Sequence, residues 1–475
     1  MFFIKINNKK IYIIMYTDGM KKSQYEHYFK NKKITVMGIG LLGRGVGDIK
    51  FLASCGADIV ATDLKEKLKL KKSLLKLKRY RNIDYTLGKH LVSDFKNKDM
   101  ILKGAGVPHD SKYIDAAEQN DTPVYMSFGL VLDILQKENI DVTVIGVTGS
   151  KGKSTTTGLI QHLLEHSGTS FHMAGNIRGV ANLPLLKKIK DGDIIVAELD
   201  SWQLQGLHTV HISPDIAVFT NFFEDHLNYY DGSMKHYFKD KSAIFKYQKE
   251  EDHLVLTSAS TRAIKKYFRG TIQAKKHIAR FKHMPKSWTY KIFGKHNQKN
   301  LAQAFHVGKL LNIPHSTIKE ALTSFEGVDG RFQYIGTHNG ISFYNDNNST
   351  TPESTIISLR SLKKEFPQKD IILIGGGSDK NFHFQKMAKY IARNIKYTLL
   401  FSGGGTDKLR KHFPAKFEAF TETLHMRTAM NIALKYADKG DIVILSPGAA
   451  SFGVFKNEYD RNDQYLRYIK NYMKK

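Results

Sequence analysis

A single cysteine, Cys55, stands among 475 residues, so no internal disulfide can form and no thiolate cluster is available for a metal. That scarcity fits a reducing cytoplasm. Long apolar runs are missing too. No uninterrupted stretch reaches the roughly 20 residues of a membrane helix, and the opening M-F-F-I-K-I-N-N-K-K lacks a continuous apolar segment and a small-residue cleavage site. Neither membrane insertion nor export is expected. Acidic residues are few: 45 Asp and Glu face 73 Lys and Arg, a formal charge of +28. Such an excess suits nucleic acid, an acidic membrane surface or polyanionic small substrates. The lysines are spread along the chain, densest at 65–81, and read as a solvated basic surface rather than a binding stripe. No helix-turn-helix, RNA-recognition or zinc signature accompanies them, so no nucleic-acid partner is expected.

What is present is a globular composition, 41% hydrophobic and 11% aromatic, without internal repeats or low-complexity tracts. At about 100–200 residues per domain, the length predicts three domains. The most informative segment is G-V-T-G-S-K-G-K-S-T-T-T at 146–157, preceded by an apolar run at 142–147 and followed by helically spaced Leu159, Leu163 and Leu164. A strand that passes through glycines into a helix start turns unpaired N–H groups toward an anion. Gly149, Ser150, Lys151 and Gly152 would shape that loop, Lys153 would reach the outer phosphates, and Ser154 or Thr155 would hold Mg²⁺. The usual spacing would put a glycine at Val147, so the loop is a compact variant. The predicted ligand is a nucleoside triphosphate.

The expected fold is α/β in three domains after an N-terminal extension. Residues 1–30 precede the first predicted strand and are expected to be a mobile tail or an over-long start. Residues 31–138 open with a strand at 34–37, the turn G-I-G-L-L-G-R-G at 38–45, a helix, and a strand at 59–62 ending at Asp63. This is a Rossmann-like pattern. Gly38, Gly40 and Gly43 fit G-x-G-x-x-G around Leu41 and Leu42, and Asp63 lies where an acidic side chain meets a ribose or base. A second glycine turn, K-G-A-G-V-P at 103–108, could approach the same ligand with Gly104 and Gly106. Residues 139–327 alternate strands and helices around the phosphate loop, predicting a central P-loop ATPase-like parallel sheet. Its polar motifs are G-N-I-R-G at 175–179, A-E-L-D-S-W-Q-L at 197–204, T-N-F-F-E-D-H-L at 220–227, Lys241, and G-K-H-N-Q-K-N at 294–300. Residues 328–475, a Rossmann-like C-terminal domain, carry G-R-F at 330–332, F-Y-N-D-N-N-S-T-T at 343–351, I-L-I-G-G-G-S-D-K at 372–380 and I-L-S-P-G-A-A-S-F at 444–452.

In content and order these motifs resemble the Mur ligases of peptidoglycan synthesis, from residue 34 to the end of the chain. The compact G-x-x-G-K-S-T loop is shared with folylpolyglutamate synthases. E-L-D-S-W-Q-L, E-D-H-L, S-P-G-A-A-S-F and F-K-N-E-Y-D-R are similar to the branch that adds D-glutamate to UDP-N-acetylmuramoyl-L-alanine. The resemblance implies ATP-dependent amide formation in the cytoplasm, in which the substrate carboxylate takes the γ-phosphoryl group and the amine of D-glutamate then displaces phosphate. It implies two Mg²⁺ ions. One would sit on Ser154 or Thr155 with Glu198, the other on His226 and Lys241, the lysine as a carbamate because an ammonium repels the cation. Lys153, Glu198, His226 and Lys241 form the implied catalytic group.

The same resemblance places Asn176 and His226 near the UDP-substrate and the acyl phosphate, and Asn297 and Asn300 at adenine and phosphate. Arg331 is implied on phosphate and Asp346 on ribose as the third domain closes. Gly38, Gly40, Leu41, Leu42, Gly43, Asp63, Gly104 and Gly106 become contacts to uridine and diphosphate rather than to a redox dinucleotide. Lys380, Ser451 and the backbone of Phe452, assisted by Thr350, are implied at D-glutamate. Nothing in the motifs requires a partner subunit, so a monomer is expected.

Four positions depart from the family pattern: Asn348 for a lysine, Asp200 for a serine, K-G-A-G for the S-P-G turn, and Asn462 for a glycine after Arg461. These are expected to touch the organic substrates more than ATP. Two alternatives stay open, a related ligase with another amino acid or acceptor and an inactive nucleotide-binding paralogue. A nucleic-acid ATPase is the alternative prompted by charge, and it predicts salt-dependent DNA or RNA affinity.

Overall fold

The computed structural model describes residues 3–6, 9–12, 19–108, 110–227 and 229–474. Three larger sheets carry the fold, distributed over two compact units. The first unit holds Met1–Pro285 with Lys299–Ile318, and the second holds Lys286–Gln298 with Lys319–Lys475.

In the first unit a five-stranded parallel sheet runs in the order Ile83–Leu87, Asp58–Asp63, Lys33–Met37, Met100–Lys103, Val124–Tyr125. The helix Arg44–Ser54 follows the first strand through the expected glycine turn. Its Val46, Ile49, Leu52 and Ala53 recur at helical spacing and are buried. Cys55, at the end of this helix, is 1% exposed, and burial pushes its thiol up to about 11. The second sheet has six parallel strands in the order Lys275–Ile278, His253–Leu256, Ile216–Phe219, Val142–Thr148, Asp193–Glu198, Phe171–Gly175. Unbroken apolar runs such as I-I-V-A and I-A-V-F follow from covering both faces of a parallel sheet.

The second unit contains Gln333–His338, Ile341–Asn345, Ile442–Leu445, Ile371–Gly376, Tyr397–Phe401 and Phe420–Thr423, in that order across the sheet. Only the first pair is antiparallel. All three predicted α/β layers therefore form.

Three expectations change. Residues 19–30 are not a tail: Met20 N donates to Ile189 O at 3.0 Å, and Met20, Tyr25 and Phe29 are buried. The physical reason is Phe51, which meets the rings of Tyr25 and Phe29 at 5.4 and 5.6 Å and needs an apolar cover. Residues 3–6 pair antiparallel with 9–12; the remainder of the tail expectation, on residues 1–2, 7–8 and 13–18, lies outside the described residues. The expected boundary at 138/139 separates two sheets but not two units, because Asp48 Oδ1 accepts from Leu183 N at 3.0 Å across it. The expected boundary at 327/328 is displaced, since Phe293 packs on Phe332 and Phe366 at 5.1 and 5.6 Å and takes residues 286–298 into the second unit.

Candidate active site

The strand Val142–Thr148 lies between Asp193–Glu198 and Ile216–Phe219, all pointing the same way. Their carboxyl ends therefore gather the phosphate loop, Glu198 and the 220–227 segment on one edge. Two glycines there are set by close approach. At Gly149, φ 145°, a Cβ would collide with Thr220 Oγ1, and at Gly152, φ 86°, it would press on Asn300 Oδ1 at 2.7 Å. The loop is braced by its neighbour: Ser150 N donates to Asn221 O at 3.0 Å and Lys151 N to Asn221 Oδ1 at 2.9 Å. Thr220 Oγ1 and Asn221 Nδ2 both donate to Lys151 O, at 2.6 and 2.8 Å.

The helix Lys153–Ser167 makes its first internal bond from Thr156 N to Gly152 O, 2.9 Å. The amides of Lys153, Ser154 and Thr155 thus form the positive end that an anion meets. Lys153 Nζ donates to Gly149 O at 2.9 Å and Ser150 O at 3.4 Å. Ser154 Oγ donates to Glu198 Oε1 at 2.9 Å, while Thr155 is buried at 7% exposure. Of the two candidate hydroxyls, Ser154 is the one set beside the carboxylate.

Lys241, on the helix Met234–Ser242, is 1% exposed and donates to Gly149 O at 3.1 Å and Thr148 Oγ1 at 3.3 Å. Burial, and then the cation of Lys153, holds its pKa well below the usual range, a shift toward the neutral amine. His226 has φ 53° and its ring lies 4.7 Å from that of Trp202. Burial lowers its pKa, with Asp225 opposing. Lys153, Ser154, Glu198 and Lys241 thus converge on one loop. Among the described residues, no group of three or more His, Cys, Asp and Glu gathers as a metal cluster.

A cavity of about 580 Å³ opens beside the glycine turn, lined by Gly38, Gly40, Leu41, Leu42, Asp63 and Gly106 among others. Gly43, at φ 91°, instead precedes the helix start, a left-handed conformation glycine adopts without strain. Asp63 Oδ2 accepts from Gly40 N and Oδ1 from Lys65 N, both at 2.9 Å, so this carboxylate also fixes the turn. Arg44, another wall residue, donates through Nη1 to Asn176 Oδ1 and so joins the cavity to the Gly175 turn.

In the second unit Lys380 Nζ stands 5.9 Å over the Phe452 ring, Ser451 is buried, and Ser378 Oγ donates to Phe452 O. The 346–351 loop carrying Thr350 adjoins them, since Gly448 N donates to Ser349 O at 2.8 Å. Asp346 also has a structural part. It is 4% exposed, and accepts from Phe332 N at 3.1 Å, Ser358 Oγ at 2.6 Å and Ser446 Oγ at 2.8 Å. Burial pushes its carboxyl up to about 6. It clasps the turn behind Arg331. Asn297 belongs to this unit, where its Nδ2 donates to Phe293 O at 3.1 Å, and Asn300 belongs to the first.

Three of the four departures satisfy the protein itself. Asp200 caps the helix Ser201–Val210 by accepting from Gln203 N at 2.8 Å. Asn462 accepts from Asn345 Nδ2 at 2.8 Å. Lys103 is buried and donates to Gln205 Oε1 at 2.9 Å and Val107 O at 3.3 Å; Gln205 Nε2 in turn donates to Asp240 Oδ2 at 2.8 Å. Burial brings the Lys103 ammonium down to about 8, against the pull of Asp240. Sequence reasoning missed Arg44, Asn221, Gln205 and Asp240, although each adjoins or lies within a motif it singled out. It also missed Arg461, wholly buried, which donates to Asn347 Oδ1 at 2.8 Å, Asn347 O at 2.9 Å and Ala449 O at 3.4 Å.

Comparison with known proteins gives two family matches, the Mur ligase middle domain over residues 147–281 and the Mur ligase, glutamate ligase domain over 330–448. A UDP-N-acetylmuramoylalanine--D-glutamate ligase of Borreliella burgdorferi (strain ZS7) is 33% identical over 464 residues, 93% of this chain and 98% of the relative. The ligase of that name from Acetivibrio thermocellus is 31% identical over 482 residues, 94% and 98% of the two chains. Among solved structures, the UDP-N-acetylmuramate-alanine ligase MurC of Thermotoga maritima matches with a TM-score of 0.58 at 19% identity, over 93% of this chain and 100% of the other. The MurF ligase of Thermotoga maritima in complex with ADP matches with 0.58 at 17%, over 95% and 97%. These two share the fold.

Proposed function

The chain belongs to the Mur ligase family, and from that premise we propose that it joins D-glutamate to UDP-N-acetylmuramoyl-L-alanine with ATP, in peptidoglycan precursor synthesis. The observation that carries the chemistry is the meeting of Lys153, Ser154, Glu198 and Lys241 at one glycine loop on the edge of a parallel sheet.

A carboxylate is a poor electrophile, so an oxygen of the alanyl carboxylate attacks the γ-phosphorus and ADP departs, leaving an acyl phosphate. The loop amides and Lys153 hold the phosphates and neutralise charge on the group in transfer. The neutral amine of D-glutamate then attacks the acyl carbon, phosphate leaves, and the ammonium formed gives up a proton to yield the amide. Lys380, Ser451, Phe452 and Thr350 are assigned to the amino acid. The cavity beside Gly38–Leu42, with Arg44 in its wall, is assigned to the uridine and diphosphate. Asn300, pressed on Gly152, is kept at the phosphate side, and Arg331 is assigned to phosphate.

The hard oxygens of Ser154 and Glu198 fit Mg²⁺, and a small protein donor set suits a cation held largely by nucleotide phosphates. A second Mg²⁺ fits His226 with Lys241 only if the buried amine is carbamylated, and the shift toward the neutral amine, the form that reacts with CO₂, supports that reading. Bound Mg²⁺ supplies charge neutralisation between the phosphates. Among the described residues no helix is long and apolar enough to cross a membrane. We propose the cytoplasm as the site of the reaction, with one chain supplying every residue assigned.

The test is phosphate release from ATP with UDP-N-acetylmuramoyl-L-alanine and D-glutamate, L-glutamate, D-aspartate or L-lysine offered in parallel, with products weighed by mass spectrometry. Turnover with D-glutamate alone is expected. Turnover with another amine would move the specificity, with Asn348 the first position to restore to lysine, and no turnover from folded, ATP-binding protein would sink the proposed reaction in favour of another acceptor or an inactive nucleotide-binding paralogue.

A further inference from the structure

The helix Lys67–Leu75 of the first unit buries Leu70 and Ser73, and Leu77 beyond its end is buried too. Its opposite side is unusual. Leu68 is 80% exposed and Leu75 56% exposed, and at 3.6 residues per turn these two project within about 20° of each other and roughly opposite the buried stripe. Lys67, Lys69, Lys71 and Lys72 flank them and are exposed. Between residues 65 and 81 the chain carries nine lysines and arginines against Glu66 alone. The sequence shows only a charged run; the structure shows that two leucines occupy its solvent side. The helix is also firmly seated, since Ser73 Oγ donates to Gly40 O at 2.8 Å and so fixes it to the glycine turn.

A solvated basic face needs no leucine at its crest, and water gains nothing from two exposed isobutyl groups. A single-stranded nucleic-acid face would put aromatic stacking groups among its cations, and the helix Lys67–Leu75 carries none. Leucines in the middle with lysines on both flanks suit a boundary that is anionic outside and apolar just beneath, where the lysine stems splay toward the charged layer and the leucines enter the acyl region. We infer that the Lys67–Leu75 face docks the protein reversibly on an anionic phospholipid surface. Leu68 and Leu75 provide shallow insertion and the surrounding lysines the charge attraction. The inference is independent of the ligase chemistry, and neither leucine lines the cavity beside the glycine turn.

The experiment is flotation of the full-length protein with vesicles of phosphatidylglycerol and phosphatidylcholine, or of phosphatidylcholine alone, at low and high salt. The native protein is expected to float with the anionic vesicles, to stay behind with the neutral ones, and to lose binding as salt rises. The double change Leu68→Gln, Leu75→Gln keeps every charge and should weaken partition at least roughly fivefold, while Lys69→Gln, Lys71→Gln, Lys72→Gln should weaken it by a similar factor. Ligase turnover of the leucine variant should match the native, which separates lost docking from lost folding. No flotation of native protein, or flotation that the leucine change leaves intact, would overturn the inference. So would tight binding of an RNA duplex by native protein and leucine variant alike without vesicle binding.

Discussion

Lys153 and Ser154 sit on the same helix start but should fail differently when changed. Lys153→Met removes the cation from the transferring phosphoryl group, and turnover should fall by roughly 10²–10³ with a smaller effect on ATP affinity. Ser154→Ala leaves Glu198 without its neighbouring oxygen and should raise the Mg²⁺ concentration needed for half-maximal rate by about tenfold, read from a metal titration at saturating ATP. Asp48, in the wall of the cavity beside the glycine turn, shows how burial sets a pH response. It is wholly buried, and desolvation pushes its carboxyl up to about 7 against hydrogen bonds from Leu183 N and nearby polar groups. The folded protein therefore holds this proton more tightly than the unfolded chain, and its contribution to stability is full in acid and lost as pH rises through about 7. Asp48→Asn should unfold at a higher temperature than the native protein, by an amount that grows between about pH 4 and pH 7, levels off above, and reflects a few kcal/mol. Parallel pH profiles for the two proteins would show that the aspartate is ionised in the fold.

At the scale of elements, Asp200 tests whether a departure from the family pattern concerns substrate or architecture. Because it caps the helix Ser201–Val210, Asp200→Ala should cost about 1 kcal/mol of stability. Asp200→Ser keeps a capping oxygen and should leave both stability and the amine preference unchanged, checked by thermal unfolding and the amine panel. The path from Lys103 through Gln205 to Asp240 ties a strand of the first sheet to two helices of the second. Gln205→Leu leaves the Lys103 ammonium only the longer bond to Val107 O and should destabilise the protein by about 1–3 kcal/mol. What the sequence revealed and what it hid follows the same division. Apolar runs ended by glycines gave away the strands and the phosphate loop, because parallel strands covered on both faces leave a period-free pattern and a helix start needs its glycines. Tyr25 and Phe29 were hidden, since two aromatic residues four apart among lysines carry little periodic signal until Phe51 is seen beneath them. The bracing role of Asp346 was hidden for a different reason. Its position in the loop fitted a ribose contact, but nothing in the string of residues tells that Ser358 and Ser446 occupy its oxygen.

For the whole molecule, two compact units predict two unfolding events. Arg461 is buried in the second unit, with its hydrogen bonds spent on Asn347 and Ala449. A lysine ammonium cannot reproduce that planar fork, so Arg461→Lys should lower one calorimetric transition by at least about 2 kcal/mol and leave the other in place. A single transition shifted as a whole would mean that the units unfold together. The buried Cys55 thiol also makes the native chain nearly silent to maleimides. As the only cysteine in the sequence it becomes a gauge of how often the layer over the first sheet opens, read as a labelling rate. It equally leaves a clean background for a fluorophore on a cysteine introduced at an exposed site, with no native residue to remove first.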